Sequence, residues 1–395
     1  MKTVIAAALL LGAISPVLQA EENWLEHPAE LTAPNTIKVL LERDVATALL
    51  EVKGPYHIFN PHNGRRETSG LLGKRFMIHE LEEGLKWGEK FVDTHQIEIR
   101  PRSPETKIFV NGIQYSGSIF VYGCAEKIHI VNEVEIEDYV KAILSPEQTS
   151  LEPEVLSALA ILARTNAHFQ AEKNQSKEIL WHVAATDVGY QGSALMIPNS
   201  PIDRAVETTR NLILVHPSDG KTSAFAATWT ENSAGKTASY QAIYRRDGHA
   251  PDLGVDAPHA KLARNEHQWK CHLSKKALAQ LLDVQKITSI KTFIDPQSNK
   301  VYAVRVDDGS QTLDIDFFTF QKTVGANRIQ SNDFNVSQQE DGFHFTGFGK
   351  GHGVGLCLYS ANALAQNGYN AVKILSKFFP ETYLQNLGVD LKEQH

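Results

Sequence analysis

Two periodicities divide the chain. From Ile37 to about Val131, short runs of alternating apolar and polar residues recur: IKVLLE, ALLEV, YHIF, IEIR, KIFV, SIFVY and IHIV. A period of two sends successive side chains to opposite faces, so these runs predict half-buried antiparallel strands. Turn formers separate them at Gly54-Pro55, Asn60-Pro61, Asn63-Gly64 and Asn111-Gly112. At Ile136 the period lengthens. Residues 136–144 (IEDYVKAIL) predict a short helix, followed by the loop Ser145-Pro146-Glu147-Gln148-Thr149-Ser150. Residues 153–172 predict a long helix with Pro153 in its first turn, where a missing N–H costs nothing. The middle of that helix, VLSALAILA, is apolar nearly all round and therefore central and buried.

Further along, residues 212–240 read as two β-runs and the polar turn ENSAGKT, and residues 274–283 as a helix. VYAVRV and TLDIDFF predict a hairpin around Asp308-Gly309. The end holds GFGKGHGVG, a helix from about Leu356 to Gln366 stopped by Asn367-Gly368, and an amphipathic helix ending at Pro380. No fixed-period repeat is present, which argues against a solenoid or propeller. The pattern is α+β, with a β-rich N-terminal region over 36–131 and a mixed α/β region over 132–387. A lead-in (21–35) precedes them and a tail (388–395) follows.

The first 20 residues, MKTVIAAALLLGAISPVLQA, differ from the rest. A basic start at Lys2, an apolar run from Val4 to Ile14, Ser15-Pro16 and a small residue at Ala20 have the layout of a secretory signal cleaved near Ala20. The apolar run is too short to span a bilayer comfortably. A periplasmic or secreted protein without a membrane anchor after cleavage is expected.

Composition narrows the function. The chain has 395 residues, 42% hydrophobic and 22% charged, long enough for two lobes and too apolar to be mostly disordered. Its net charge is −7, with no basic stripe, so nucleic acid is not an expected partner. The three cysteines, Cys124, Cys271 and Cys357, form no CxxC and no disulfide framework, although Cys271 and Cys357 would pair if the fold joined them.

Several residues could carry chemistry. Glu147 sits in a short loop ahead of the buried helix. There it is either a solvated capping carboxylate or, within apolar walls, a proton donor and acceptor. Glu152 and Glu154 lie close by in sequence. Arg164 interrupts the apolar LAILAR stretch, so it pairs with an internal carboxylate or presents its fork to a substrate. Five glycines in Gly347–Gly355 either form a tight structural turn or bring backbone N–H groups to a ligand, with His352 projecting between them. The GxGxxG pattern fails at Leu356, and the P-loop pattern fails at Thr230. A thiol nucleophile at Cys357 near His352 is a minor alternative, because Leu356 and Leu358 give it a core-facing setting. The histidines His249, His259, His267 and His272 are spaced too irregularly for a metal motif, and no HExxH occurs.

Four segments in order carry a further signal: VNEVEIEDYVKAILSPE, PEVLSALAILART, ENSAGKT and GFGKGHGVGLCLYSANALAQNGYNAVKILSKFFPETYL. Together they resemble the stage II sporulation protein D family (SpoIID, amidase-enhancer-like), over roughly residues 110–387. The resemblance implies a cell-wall lytic transglycosylase with a substrate groove. Such an enzyme cuts peptidoglycan glycan strands between N-acetylmuramic acid and N-acetylglucosamine and leaves a 1,6-anhydro sugar. It makes Glu147 the catalytic acid and Arg164, Ser233, Gly351, His352 and Gly353 substrate-binding residues. A cell-wall amidase or division proteins are the implied partners, in wall remodelling or division. The chain departs from the family pattern at Ser157, Leu159, Ala234, Cys357 and Leu358. The zinc-binding histidine of some members is Thr230 here, so no cofactor or metal is expected. The alternative is a non-catalytic glycan-binding module that enhances an amidase.

Overall fold

A computed structural model describes residues 35–147, 151–173, 179–218, 221–248, 250 and 254–388. The expected signal at 1–20, the lead-in before Asn35 and the tail beyond Gly388 lie outside the described residues. The fold is α+β. All seven β-runs read from the sequence are strands, and they are shared between two sheets. A seven-stranded sheet has the order Val183–Ala184, Thr36–Val45, Lys127–Glu135, Ser118–Cys124, Gln96–Pro101, Tyr56–Phe59, Arg66–Gly70. A six-stranded sheet has the order Ile113–Tyr115, Lys107–Val110, Ala48–Lys53, Lys74–Leu81, Gly84–Trp87, Glu89–Val92. Alternate residues such as Ile97, Ile99, Ile128 and Ile130 from the first sheet meet Leu50, Val52 and Ile108 from the second in one core.

The strand Lys127–Glu135 links this sandwich to the helices. Ile128, Ile130 and Val134 face the main core, while Val131 lies on the other side with Leu40 and Phe120, beneath Leu180 and Trp181. Helix α1 (Ile136–Leu144) starts directly at its end. The boundary read from sequence at 131/132 falls inside this strand. Helix α2 (Pro153–Lys173) runs through the same core, with fourteen of its residues buried, including Leu156, Leu159 and Leu162. Helix α3 (Pro201–Thr208) is capped by the Ser200 hydroxyl, which accepts from the Asp203 N–H, and carries Pro201 in its first turn.

Residues 268–348 build a smaller lobe around a second core containing Phe317, Phe320, Phe343 and Phe345. The short helix α4 (Pro258–Leu262) leads into it, and helices α5 (Lys275–Leu281) and α6 (Phe317–Val324) cover two three-stranded sheets. The expected hairpin is there, Val301–Asp307 against Thr312–Asp316. The run TLDIDFF stops being a strand at Asp316, whose carboxylate accepts from the Thr319 N–H and starts α6. Helices α7 (Leu358–Gln366) and α8 (Ala371–Phe378) return to the main core through Ala361, Ile374, Leu375 and Phe378. Among the described residues no helix is long and apolar enough to cross a membrane.

One buried ion pair fastens these layers. Arg164, in mid-α2, donates to Glu137 of α1 through Nε and NH2, both at 2.8 Å, in a bidentate fork. Its NH1 also donates to the Leu212 carbonyl at 2.9 Å and NH2 to the Val206 carbonyl at 3.3 Å. Thr165 continues the tie, its hydroxyl accepting the Leu214 N–H at 2.9 Å. The guanidinium is 1% exposed and fully engaged, so the internal-carboxylate reading of Arg164 is the one realised, and the residue is not available to a substrate.

Removing one partner from such a pair strands a buried charge, whereas removing both does not. Arg164→Met should therefore lower the unfolding free energy by about 3–5 kcal/mol, and Arg164→Met/Glu137→Leu should recover much of that loss. Urea unfolding of the two variants beside the parent checks this. Equal losses in both would contradict it.

Candidate functional site

Helix α1, held by Glu137, delivers its C-terminal end to a 3₁₀ turn spanning Ser145–Glu147. The Ser145 hydroxyl donates to the Lys141 carbonyl at 2.7 Å and closes the helix. Glu147 is the last residue of that turn. At Leu151 the chain borders a groove of about 1160 Å³. The two neighbouring acids are used in packing. The Glu152 N–H donates to Asn362 Oδ1 at 2.8 Å, and its carboxylate accepts from Gln366 Nε2 at 3.3 Å, docking it on α7. The Glu154 carboxylate accepts from the Ala371 N–H at 2.7 Å and caps α8.

Three other segments make up the groove walls. One is the strand Trp229–Thr230 with Glu231 and Asn232, another is Gly349–His352, and the third runs from α4 to Gln268. Helix α7 closes the floor with Tyr359, Asn362 and Gln366. Amides from Asn362, Gln330 and Gln366 mix with the exposed Tyr359 ring, which meets His267 edge-on at 4.9 Å. Neutral hydrogen-bonding groups beside aromatic faces suit a polyhydroxylated ligand. Charge on the wall is balanced, for Lys350 pairs with Glu231 at 2.7 Å.

The glycine segment acts as a structural turn. The Asn232 and Lys350 N–H groups each donate to the other residue's carbonyl at 2.9 Å, zipping the segment onto the strand beside it. At Gly351 the backbone φ is +97°, and a Cβ would lie 2.5 Å from the Thr230 hydroxyl. At Gly353 φ is +67°, and a Cβ would lie 3.0 Å from Asn332 Oδ1. Their N–H groups are taken internally, Gly351 donating to the Gln330 carbonyl at 2.8 Å and Gly353 to Thr230 Oγ1 at 3.1 Å. Both glycines permit the close approach that shapes the wall; Gly351 itself lines the groove, whereas Gly353 is buried behind it. His352 does border the groove, but its ring is tucked against Tyr244 and Phe318 rather than projecting freely. Nδ1 accepts from the Val354 N–H at 3.2 Å, and the Trp229 backbone also holds the ring.

Ser233 is likewise corrected from ligand contact to interior, at 1% exposed. Its N–H donates to Cys357 Sγ at 3.3 Å, and its carbonyl accepts from Lys300 Nζ at 2.6 Å. Cys357 is fully buried, which disfavours the thiol-nucleophile reading, and all three cysteines are free. Behind Ser233 lies a charge cluster that sequence reasoning missed. Lys300 Nζ and the Arg264 fork both reach Asp333, each at 2.7 Å, and Arg264 also donates to the Ala234 carbonyl at 2.8 Å. Burial alone would raise the Asp333 pKa, but its Arg264 hydrogen bonds and the Lys300 charge hold it below the usual carboxylate range. The cluster pins the ENSAGKT turn to the second lobe.

Burial pushes the His352 imidazole down to about 4, and burial with the nearby Arg164 charge does the same for His168. Both rings are neutral near pH 7. Because the unfolded chain takes up these protons near pH 6.5 and the folded chain only near 4, stability should fall as pH drops through that window. Urea midpoints at pH 7 and pH 5 check the sign, with a lower midpoint expected at pH 5. A midpoint that holds or rises would contradict it.

Comparison with known proteins agrees with the first two of the four motif segments. The family model SpoIID, stage II sporulation protein, matches residues 125–216, which carry α1, the Glu147 turn and α2. An uncharacterized protein of Chlamydia pneumoniae is 37% identical over 183 residues, 46% of this chain and 66% of that protein. An uncharacterized protein of Chlamydia muridarum is 35% identical over 183 residues, 46% of this chain and 63% of its own length. In both chlamydial proteins the match spans less than two thirds of the relative. An uncharacterized protein of Brachyspira hyodysenteriae is 30% identical over 354 residues, covering 87% of this chain and 91% of that protein. On these grounds the chain belongs to the SpoIID family.

Proposed function

We propose that this protein is an exported lytic transglycosylase that cuts peptidoglycan glycan strands between N-acetylmuramic acid and N-acetylglucosamine. Membership of the SpoIID family links the chain to the cell wall and, in general, to peptidoglycan lysis. The observation that carries the finer reading is the convergence at the groove. Leu151 just past the Glu147 turn, Glu231-Asn232 of the ENSAGKT segment and Lys350–His352 of the glycine segment border one cavity. These segments lie far apart in sequence, and a shared cavity is what a common ligand requires.

In this reading Glu147 does the proton chemistry alone. Its carboxyl gives a proton to the glycosidic oxygen as the bond to C1 of the muramoyl residue breaks. The muramoyl C6 hydroxyl attacks C1, and the carboxylate takes that hydroxyl's proton. The products are a free GlcNAc-side hydroxyl and a 1,6-anhydro ring, and Glu147 ends as it began. No second carboxylate is needed, since no water is activated, in contrast to paired-carboxylate hydrolases. Glu152 and Glu154 are committed to α7 and α8, which favours Glu147 among the three acids. The amide-rich wall beside Tyr359 positions the strand, and the signal-like residues 1–20 carry the protein to its substrate.

Purified protein incubated with sacculi should release muropeptides ending in 1,6-anhydro sugars, read by mass spectrometry. Glu147→Gln should lower that release by at least ~100-fold, while Glu154→Gln, which keeps an acceptor for the α8 cap, should retain it. Hydrolytic ends without the anhydro ring, or undiminished release by Glu147→Gln, would contradict the proposal. Sacculus binding with products only after an amidase is added would favour the glycan-binding enhancer instead.

A further inference from the structure

The second lobe carries a cluster unrelated to the groove chemistry. Strands Gln268–Leu273 and Gly342–Phe348 pair antiparallel, with His272 directly opposite His344. The two rings lie 4.5 Å apart between centroids. The two-residue turn before Gly342 contributes Asp341, whose carboxylate reaches both rings. Asp341 Oδ1 is 2.9 Å from His344 Nε2, and Oδ2 is 3.2 Å from His272 Nε2. One ligand atom from each side chain lies within 4.8 Å of the others.

From this geometry we infer that His272, Asp341 and His344 form a binding site for a divalent first-row transition ion of the zinc type. Metal–ligand bonds of about 2.0–2.2 Å in a tetrahedron put neighbouring ligand atoms roughly 3.3–3.5 Å apart. The two carboxylate–imidazole separations, 2.9 and 3.2 Å, need to open by only a few tenths of an ångström for an ion to replace the shared protons, and the two imidazole ligand atoms already lie within 4.8 Å of each other. Two imidazoles and one carboxylate are a borderline N/O donor set, matching zinc, cobalt or nickel better than calcium or magnesium. With only three protein ligands at a part-exposed surface, water completes the coordination. The side chains are 45%, 58% and 32% exposed for His272, Asp341 and His344.

Two features hold the donors in place. Gly342 has φ +148°, and a Cβ there would lie 2.3 Å from the Leu273 carbonyl, so the turn bearing Asp341 is pressed onto the end of the neighbouring strand. The Asp341 carboxylate is in turn held between the two rings by its contacts with His344 and His272. Cys271 is excluded as a fourth donor by strand alternation, because its side chain packs against the second core while His272 faces outward. The same ladder ends at Gln268, Trp269 and Lys270 on the groove wall. A bound ion would therefore clip the far end of a ladder that also shapes the groove.

Titrating Zn²⁺ into tag-free, metal-stripped protein at pH 7.5 by calorimetry tests the site. One ion per chain is expected, with affinity lowered at least about tenfold in His272→Ala, His344→Ala and Asp341→Asn. Zn²⁺ should also raise the melting temperature of the parent and not of His344→Ala. As a check that does not depend on the variants folding, Co²⁺ loaded into the parent should give a visible spectrum of N/O coordination without a thiolate charge-transfer band. Affinity unchanged in all three variants, a thiolate band, or no bound ion would overturn the inference.

Discussion

The architecture turns on a guanidinium that never sees solvent. Arg164 stands in the most apolar stretch of α2, and a lone cation there would be prohibitively costly to desolvate. Glu137 supplies the counter-charge, and the carbonyls of Val206 and Leu212 take the remaining donors. The pair thereby fixes the relation of α1, α2, α3 and the strand that follows α3. Its consequence for function is positional. Helix α1 is locked at Glu137 within its first turn, so its last turn, and the Ser145–Glu147 segment beyond it, leave the core in a defined place.

A second set of constraints shapes what faces that segment. The glycine-rich turn approaches the Trp229–Thr230 strand and the residues after it so closely that side chains at several positions would collide with it. The Lys300–Asp333–Arg264 cluster then pins the back of the ENSAGKT turn to the smaller lobe. Both devices spend polar groups internally. The sequence elements that look most like ligand-binding loops are thus largely scaffold, and the side chains that line the groove include Tyr359, Asn362 and Gln366 of α7 and Glu231 at the rim.

Much of the secondary structure was legible in the chain. The all-round apolar run and first-turn proline of α2 leave few alternatives, and the alternating runs before Val131 form strands wherever both faces are sorted. The strands Lys74–Leu81, Gly84–Trp87 and Glu89–Val92 were missed because charged residues and exposed Phe76 and Met77 blur their alternation. Helix α6 hid behind the same difficulty, since Phe317-Phe318 extends an apparent strand until Asp316 caps a helix. At the site, sequence marked the segments that converge but not the direction their side chains take. Arg164 was visibly anomalous, yet its partner lies 27 residues away on another helix, and a pattern read along one chain carries no such distance. Lys300 and Asp333 likewise meet only in the fold, 33 residues apart. Their burial is a property of how the lobes meet.

The proposed chemistry requires the Glu147 carboxyl to reach a sugar bridge from the groove edge. The most direct measurement is a crystal structure of the Glu147→Gln protein with a glycan oligomer of alternating N-acetylglucosamine and N-acetylmuramic acid. The glycan is expected along the groove beside Tyr359 and Asn232, with a scissile glycosidic oxygen about 2.6–3.2 Å from the residue-147 side chain. A glycan bound elsewhere, or one in the groove whose nearest bridge oxygen stays well beyond hydrogen-bond reach of residue 147, would contradict that chemistry.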